Sequence, residues 1–395
     1  MNNGKGGIMG EQDTRNGMKR RDFLKLGVVT ATSAAAGLSL GKVLGAATTP
    51  SVTPVYRTLG RTGLKVTTVS FGAMLTPEHE VMETAFDLGI NYVDTARRYM
   101  GGRNEEIVGK ALKGRRSKVY VATKTVSSSS SKRDIFRDVE TSLSKLKTDY
   151  IDVIQLHSLS SKDRAFDPET REALMELRKQ GKVRFFGVTT HTNQAEILNA
   201  LADDPTKFFD VALVGYNFKS DSAIKQSIAR AAGSGIGIVA MKTQAGGYKT
   251  NALGSTSPHQ AALKWVLQDT NVACAIPGMQ NMSMFQEDIV VMNMKMTQAD
   301  ARILERYSDA INPYYCHLCS ACEAGCPSHV AISTINRSLM YLEGYGAREL
   351  ARATYQGIPP DKTASQCSNC ATCLARCVNG LNIAEKMRQA RTMLA

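Results

Sequence analysis

The sequence predicts an α/β protein: a (β/α)8 barrel (TIM barrel) over residues 55–308, followed by a small α-rich, cysteine-rich domain over residues 312–395. Three observations carry this expectation. Short β-branched or apolar runs alternate with helical patterns from Val66 onward, as in a parallel sheet covered by helices. There are eight such runs within roughly 250 residues, the size of a closed barrel. Eight of the nine cysteines crowd into the last 80 residues.

The eight strand candidates are Val66–Gly72, Asn91–Ala96, Val119–Thr125, Tyr150–His157, Val183–Thr189, Asp210–Tyr216, Gly237–Lys242 and Val272–Ile276. Between them, Ile135–Leu146, Thr170–Lys179 and His259–Gln268 place apolar residues at helical spacing. A doubly wound open sheet is the alternative, but no Gly-x-Gly-x-x-Gly follows the first strand. Ahead of that strand, Tyr56 to Val66 reads as a small hairpin turning at Gly60 and Gly63, placed to plug the bottom of a barrel. The serine run Ser127–Ser131 follows the third strand and is expected as a flexible loop near the barrel mouth.

A chain of 395 residues, 43% hydrophobic, can bury a full core and hold a second domain. Beyond the N-terminus no run approaches the roughly 20 apolar residues that span a bilayer, so the body is expected to be soluble. The net charge is +13, but residues 1–46 hold seven basic and three acidic side chains, and the remainder carries +9. With no basic run interleaved with aromatics, no nucleic-acid partner is expected.

Residues 1–47 read as an address. Lys19-Arg20-Arg21-Asp22-Phe23-Leu24-Lys25 precedes a mildly apolar, uncharged stretch from Leu26 to Gly41, and Gly45, Ala46 and Ala47 offer a cleavage site. The segment resembles a twin-arginine signal, which implies the twin-arginine export machinery as a partner and a periplasmic or extracytoplasmic location. If uncleaved, it would be the protein's one contact with a membrane.

The residues at the predicted strand ends carry a family resemblance. Tyr56 to Gly72, then Gly89-Ile90-Asn91-Tyr92-Val93-Asp94-Thr95-Ala96 with Tyr99 and Gly101-Gly102-Arg103-Asn104-Glu105 behind it, is similar to the aldo-keto reductases, over about Val55 to Asp288. The resemblance implies a catalytic tetrad of Asp94, Tyr99, Lys124 and His157. It also implies a small carbonyl or alcohol substrate and a nicotinamide dinucleotide, NAD(P)(H). Those four residue types suit such a reaction. Reducing a carbonyl needs hydride on carbon and a proton on oxygen, hence an acid near working pH. Free tyrosine, near 10, is too weak, and a lysine beside the Tyr99 hydroxyl is expected to lower its pKa, with Asp94 holding that lysine and His157 orienting the substrate oxygen.

By the same resemblance, Thr189 and Thr190 stand at the carboxamide-binding pair, where the family usually has Ser-Asn. Tyr216 stands where a flat ring meets the nicotinamide, and Leu213 replaces a glutamine. Glu287 and Asp288 match the adenosine contacts. Gly278, Met279 and Met284 occupy positions where relatives that prefer NADP carry Lys, Ser and Arg, so a preference for the 2′-phosphate is not expected.

The tail repeats one spacing twice: Cys316-x2-Cys319-x2-Cys322-x3-Cys326-Pro327 and Cys367-x2-Cys370-x2-Cys373-x3-Cys377. This is similar to the bacterial ferredoxins and implies a ferredoxin-like domain with two [4Fe–4S] clusters. One cluster would be held by Cys316, Cys319, Cys322 and Cys377, the other by Cys367, Cys370, Cys373 and Cys326. Zinc would leave the 2-2-3 repeat unexplained, and adjacent cysteines at this spacing bridge poorly. Cys274, inside the eighth strand, reads as a buried small hydrophobe.

The functional expectation is an oxidoreductase that interconverts a carbonyl and an alcohol with Tyr99 as general acid/base, coupled to iron–sulfur electron transfer and a redox partner protein. The competing expectation is an electron-transfer or binding protein whose barrel no longer turns over. With no long linker before Cys316, the cysteine domain is expected to dock near the catalytic mouth, the alternative being its side or bottom.

Overall fold

The computed structural model describes residues 52–126, 129, 131–248 and 257–395. The signal segment 1–47 and most of the serine run lie outside the described residues. Residues 52–395 form one compact unit.

Two short strands, β1 (Tyr56–Thr58) and β2 (Lys65–Thr67), pair antiparallel across the predicted glycine turn. Then come eight parallel strands: β3 (Phe71–Gly72), β4 (Tyr92–Asp94), β5 (Tyr120–Lys124), β6 (Ile151–Leu159), β7 (Val183–Thr190), β8 (Val211–Gly215), β9 (Gly237–Met241) and β10 (Val272–Ala275). They pair in sequence order from β3 to β10. The sheet closes through parallel bridges from Val69 to Ala275 and Gly72 to Gly278, with Ser70 N donating to Ala275 O at 2.8 Å. The expected first strand, Val66–Gly72, is divided: Val66 and Thr67 belong to the hairpin, and only Phe71–Gly72 joins the barrel. The other seven run within two residues of the expected bounds.

Side-chain alternation along β4 to β10 sends one face into the barrel and the other against the helices. The inward residues Tyr92, Ala122, Val153, Val211, Leu213, Val239 and Cys274 form one apolar cluster, and Leu59, Leu64 and Val66 of the hairpin enter it from below. The hairpin is held by backbone contacts at the strand starts: Arg61 N donates to Gly235 O at 2.7 Å, and Arg57 reaches the carbonyls of Leu267, Asp269 and Val272. Gly60, at φ +50°, lies so close to the Gly237 backbone that a Cβ would stand 2.2 Å from its nitrogen. The bottom of the barrel is thereby sealed with hydrocarbon.

Outside, the covering helices start where capping residues stand. Asp167 caps Pro168–Lys179 with proline at the first helical position, and Thr297 with Asp300 forms a reciprocal capping box on Gln298–Ile311. Beyond Ile311 the chain folds into a second apolar cluster that includes Ile332, Ile335, Leu339, Tyr341, Ala351, Tyr355, Ile383, Met387, Cys322 and Cys326, with Cys316, Cys367, Cys373 and Cys377 packed against it. The same cluster takes in Met74, Phe218, Ala245 and Tyr248, which follow β3, β8 and β9. Residues 312–395 therefore pack on the end of the barrel where the strands finish. No helix of the described residues is long and apolar enough to cross a membrane.

Candidate active site under the C-terminal domain

Strand register brings the tetrad residues together. Asp94 ends β4, Lys124 ends β5 and His157 lies near the end of β6, all on inward positions, since Asp94 pairs with Ala122 and Lys124 with Gln155. Lys124 Nζ donates to Asp94 Oδ1 and, at 2.7 Å, to the carbonyl of Thr95. The other oxygen of Asp94 accepts from Gln155 Nε2 at 2.9 Å. Both members of the ion pair are buried, Lys124 at 1% and Asp94 at 3% exposure. Burial raises the Asp94 pKa and lowers that of Lys124, with the partner opposing each shift.

Tyr99 is delivered by a short turn, Tyr99–Gly102, in which Met100, Gly101 and Gly102 all take positive φ. The next helix, Asn104–Ala111, anchors that turn with two buried polar side chains. Asn104 accepts from Thr95 Oγ1 at 2.6 Å and donates to Ala73 O, while Glu105 binds Arg97 and Thr123. The Tyr99 ring stands edge-on to His157, centroids 6.1 Å apart, and Lys124 Nζ lies 4.8 Å from its centre.

The expected lowering of the Tyr99 pKa is reversed. Burial, Asp94 and Tyr341 push the phenol well above 10, with Arg337 opposing, because Lys124 spends its charge on Asp94 and faces the ring. The hydroxyl is held protonated. His157 is pushed well below 6.5 by burial, Lys124, Arg337, Arg164 and Arg98, so its imidazole is neutral.

The residues expected at a dinucleotide are not all brought to the mouth. Thr189 Oγ1 accepts from Ser158 N at 2.7 Å, and the Thr190 hydroxyl is committed to the carbonyls of Leu159 and Thr192. Tyr216 turns outward: its ring lies 5.1 Å from Trp265 and its hydroxyl donates to Asp269 at 2.9 Å, so it belongs to the layer between barrel and helices. Leu213 is buried in the barrel interior. Space is open around Gly278, whereas Met279 is fully buried. Glu287 accepts from Ser257, and Asp288 accepts from Gln244 at 2.8 Å. The remaining Asp288 oxygen is buried without a partner among the described residues, and burial and Glu287 hold its pKa well above 3.8.

The C-terminal domain supplies residues that the sequence did not single out. Arg337 and Tyr341, one helical turn apart on Ile332–Glu343, face the tetrad. Arg337 Nη1 stands 3.5 Å from Ser158 Oγ, and Lys242 Nζ, just beyond β9, stands 3.3 Å from the Tyr341 hydroxyl. His191 completes the ring of groups, its pKa pushed well below 6.5 by burial, Arg337, Lys242, His157 and Lys124. Tyr99, His157, His191, Lys242 and Arg337 keep some accessible surface, yet burial leads the pKa shifts of the first four. All five are half-buried. The helical spacing of Arg337 and Tyr341 was the available signal, but nothing in the sequence said which way that helix faced.

The cysteine sulfurs fall into two groups. Cys316 senses Cys322, Cys319 and Cys377 electrostatically, and Cys367 senses Cys326, Cys370 and Cys373. Burial, with these neighbours, pushes Cys316 up to about 12 and Cys322, where Glu323 adds to it, up to about 11. Among the described residues no three His, Cys, Asp or Glu side chains converge closely enough to hold a metal ion, and all nine cysteines are free thiols. Cys274 is fully buried, as expected.

Comparison with known proteins agrees with the barrel. The aldo/keto reductase family matches residues 76–253. An uncharacterized oxidoreductase of Bacillus subtilis, YqkF, is 38% identical over 149 residues, covering 34% of this chain and 48% of the relative. L-galactose dehydrogenase of Arabidopsis thaliana is 37% identical over 152 residues, covering 34% and 47%. The chain spans about half the length of the curated relatives it matches. Among solved structures, a putative aldo-keto reductase from Pseudomonas aeruginosa superposes with a TM-score of 0.51 at 28% identity, covering 61% of this chain and 96% of that one. An aldo-keto reductase from Bacillus halodurans in its holo form shares the fold at TM-score 0.55 and 24% identity, covering 64% and 96%. The barrel is similar to those of the aldo/keto reductases. Its match to the family extends over residues 76–253, and the cysteine domain lies beyond it.

The two depressed histidines make a pH prediction. A histidine neutral in the fold but titrating near 6.5 when unfolded binds more protons in the unfolded state, so stability falls as pH drops below about 6.5. Replacing His191→Asn should make the loss between pH 7 and 5 shallower, by up to about 1.4 kcal/mol per pH unit. Urea unfolding at each pH measures it; identical slopes in variant and wild type would contradict the burial argument.

Proposed function

We propose that this protein reduces a carbonyl group to an alcohol, with Tyr99 giving the proton to the carbonyl oxygen. The observation that carries the reading is the convergence of Asp94, Tyr99, Lys124 and His157 at adjacent strand ends. Bound at this mouth, a nicotinamide dinucleotide would supply the hydride, two electrons and one proton, to the carbonyl carbon. The chain's residues handle the rest. Neutral His157 donates a hydrogen bond to the carbonyl oxygen and fixes its position, and the protonated Tyr99 hydroxyl transfers its proton to the oxygen as negative charge develops. Lys124, paired with Asp94, lies against the Tyr99 ring, 4.8 Å from its centre, and fixes where the phenol stands. The reverse reaction uses the same atoms, with Tyr99 accepting the proton.

The donor set at the far end supports a dinucleotide. Asp288 stands where the family resemblance has an asparagine, its pKa is raised by burial and Glu287, and one of its buried oxygens has no hydrogen-bond partner among the described residues, which an adenosine would supply. Thr189 and Gly278 leave a hydroxyl proton and open space on the way. With no cation at Gly278, Met279 or Met284, NAD(H) should serve at least as well as NADP(H).

The tail is proposed to hold two [4Fe–4S] clusters, one on Cys316, Cys319, Cys322 and Cys377, the other on Cys367, Cys370, Cys373 and Cys326. The grouping of the thiols supports this reading, since Cys316 senses Cys322, Cys319 and Cys377 while Cys367 senses Cys326, Cys370 and Cys373. Such clusters supply one-electron transfer, which gives the domain a role toward a redox partner protein. The proposal extends to export by the twin-arginine route, which suits proteins that fold and load cofactors before crossing the membrane.

Replacing Tyr99→Phe should lower carbonyl reduction by about 10² or more with dinucleotide affinity nearly unchanged, read by steady-state kinetics and calorimetry. Unchanged turnover would sink the tetrad reading. Protein isolated anaerobically should be brown and contain about eight irons per chain. Stoichiometric zinc without iron would refute the cluster reading.

A further inference from the structure

The roof of the site carries charge that the tetrad does not use. Lys124 is matched by Asp94, but Lys242 and Arg337 have no carboxylate partner among the described residues. Lys242 lies against phenol rings, 4.6 Å from the centre of Tyr341 and 5.8 Å from that of Tyr345. Among the described residues Arg337 reaches only Ser158, and its buried Nε has no hydrogen-bond partner there. The segment 249–256, between the described residues, contains no acidic residue that could neutralise either cation.

Two unmatched, half-buried cations within electrostatic reach of each other are costly unless an anion joins them. Burial and Arg337 pull the Lys242 pKa below its ordinary value. Burial pushes Tyr341 up, but Lys242 and Arg337 outweigh it and hold the phenol below 10. The Tyr341 shift reports a place that favours negative charge. Arg337 stands on Ser158, the neighbour of His157, so this place adjoins the substrate-orienting group.

We propose that Arg337 and Lys242, joined across the domain boundary, form an anion subsite that binds the carboxylate of a substrate whose carbonyl lies at Tyr99 and His157, a 2-oxo acid or closely similar oxo acid. The inference rests on the carbonyl-reductase reading and adds the substrate class. Arg337 supplies a planar fork suited to a carboxylate. Tyr341 donates its hydroxyl beside it. The subsite needs both domains, because Lys242 belongs to the barrel and Arg337 to the tail.

The same chemistry could instead serve the pyrophosphate of the dinucleotide, and binding experiments separate the two. Calorimetry with the full-length, anaerobically prepared protein uses three probes: oxamate, its uncharged counterpart oxamide, and ADP-ribose. Oxamate should bind at least tenfold more tightly than oxamide. Arg337→Gln and Lys242→Gln should each weaken oxamate at least tenfold, Arg337→Lys should recover part of the loss, and ADP-ribose affinity should stay within twofold of wild type. Equal binding of oxamate and oxamide, or oxamate binding indifferent to both substitutions, overturns the subsite. Loss of ADP-ribose affinity in both variants with oxamate unaffected also overturns it and assigns the cations to the cofactor. A wild type that reduces no carbonyl refutes the reaction instead, while oxamate binding that depends on Arg337 would still establish the subsite.

Discussion

The buried pair of Lys124 and Asp94 is the constraint on which the rest of the site depends. Removing either charge from water is unfavourable, and neither residue would stay ionised alone at 1% and 3% exposure. Gln155 and the Thr95 carbonyl take up remaining hydrogen-bonding capacity, so the pair is fixed in position as well as in charge. Around it the barrel is arranged to keep water away. The hairpin fills the bottom with Leu59, Leu64 and Val66, and inward-facing aliphatic side chains fill the middle. Only the upper layer is polar, and there Tyr99 and His157 are set against the lysine.

Closure from above is equally physical. Tyr307 and Tyr315 donate hydrogen bonds to barrel-loop groups, to Gln244 O and to Asn217, while Tyr248 of the barrel donates to Tyr314 O. Apolar packing of Met74, Phe218, Ala245 and Tyr248 into the tail's own core makes the contact continuous. A domain held by shared core residues is part of the site's wall, and its helix Ile332–Glu343 places Arg337 and Tyr341 over the tetrad. Lowered dielectric strengthens each charge interaction beneath it, which is why the phenol of Tyr99 stays protonated and two histidines stay neutral.

Much of this was legible from residue order. Strands with β-branched runs, helices with apolar spacing and the hairpin's turn at its glycines were readable from local pattern, which the closed barrel respects, while Asp94, Lys124 and His157 were singled out by the resemblance to the aldo-keto reductases. The grouping of Cys377 with the first set and Cys326 with the second came from the resemblance of the repeated spacing to the bacterial ferredoxins. What local pattern could not supply was direction and environment. Tyr216 at the end of β8 can point either into the mouth or outward, and Trp265 with Asp269 draws it outward. The Tyr99 pKa depended on whether Lys124 faced its hydroxyl or its ring, a matter of ångströms. Arg337 and Tyr341 became site residues only because a distant helix docks with that face down.

The most direct test is a double-mutant cycle on the ion pair, with carbonyl reduction as the readout. If the pair acts as one unit, Asp94→Asn and Lys124→Met each lower the rate by about 10² or more, and the double variant is no worse than the poorer single variant. Losses that multiply in the double variant would show that the two residues act independently, and the ion pair would not be the basis of the site.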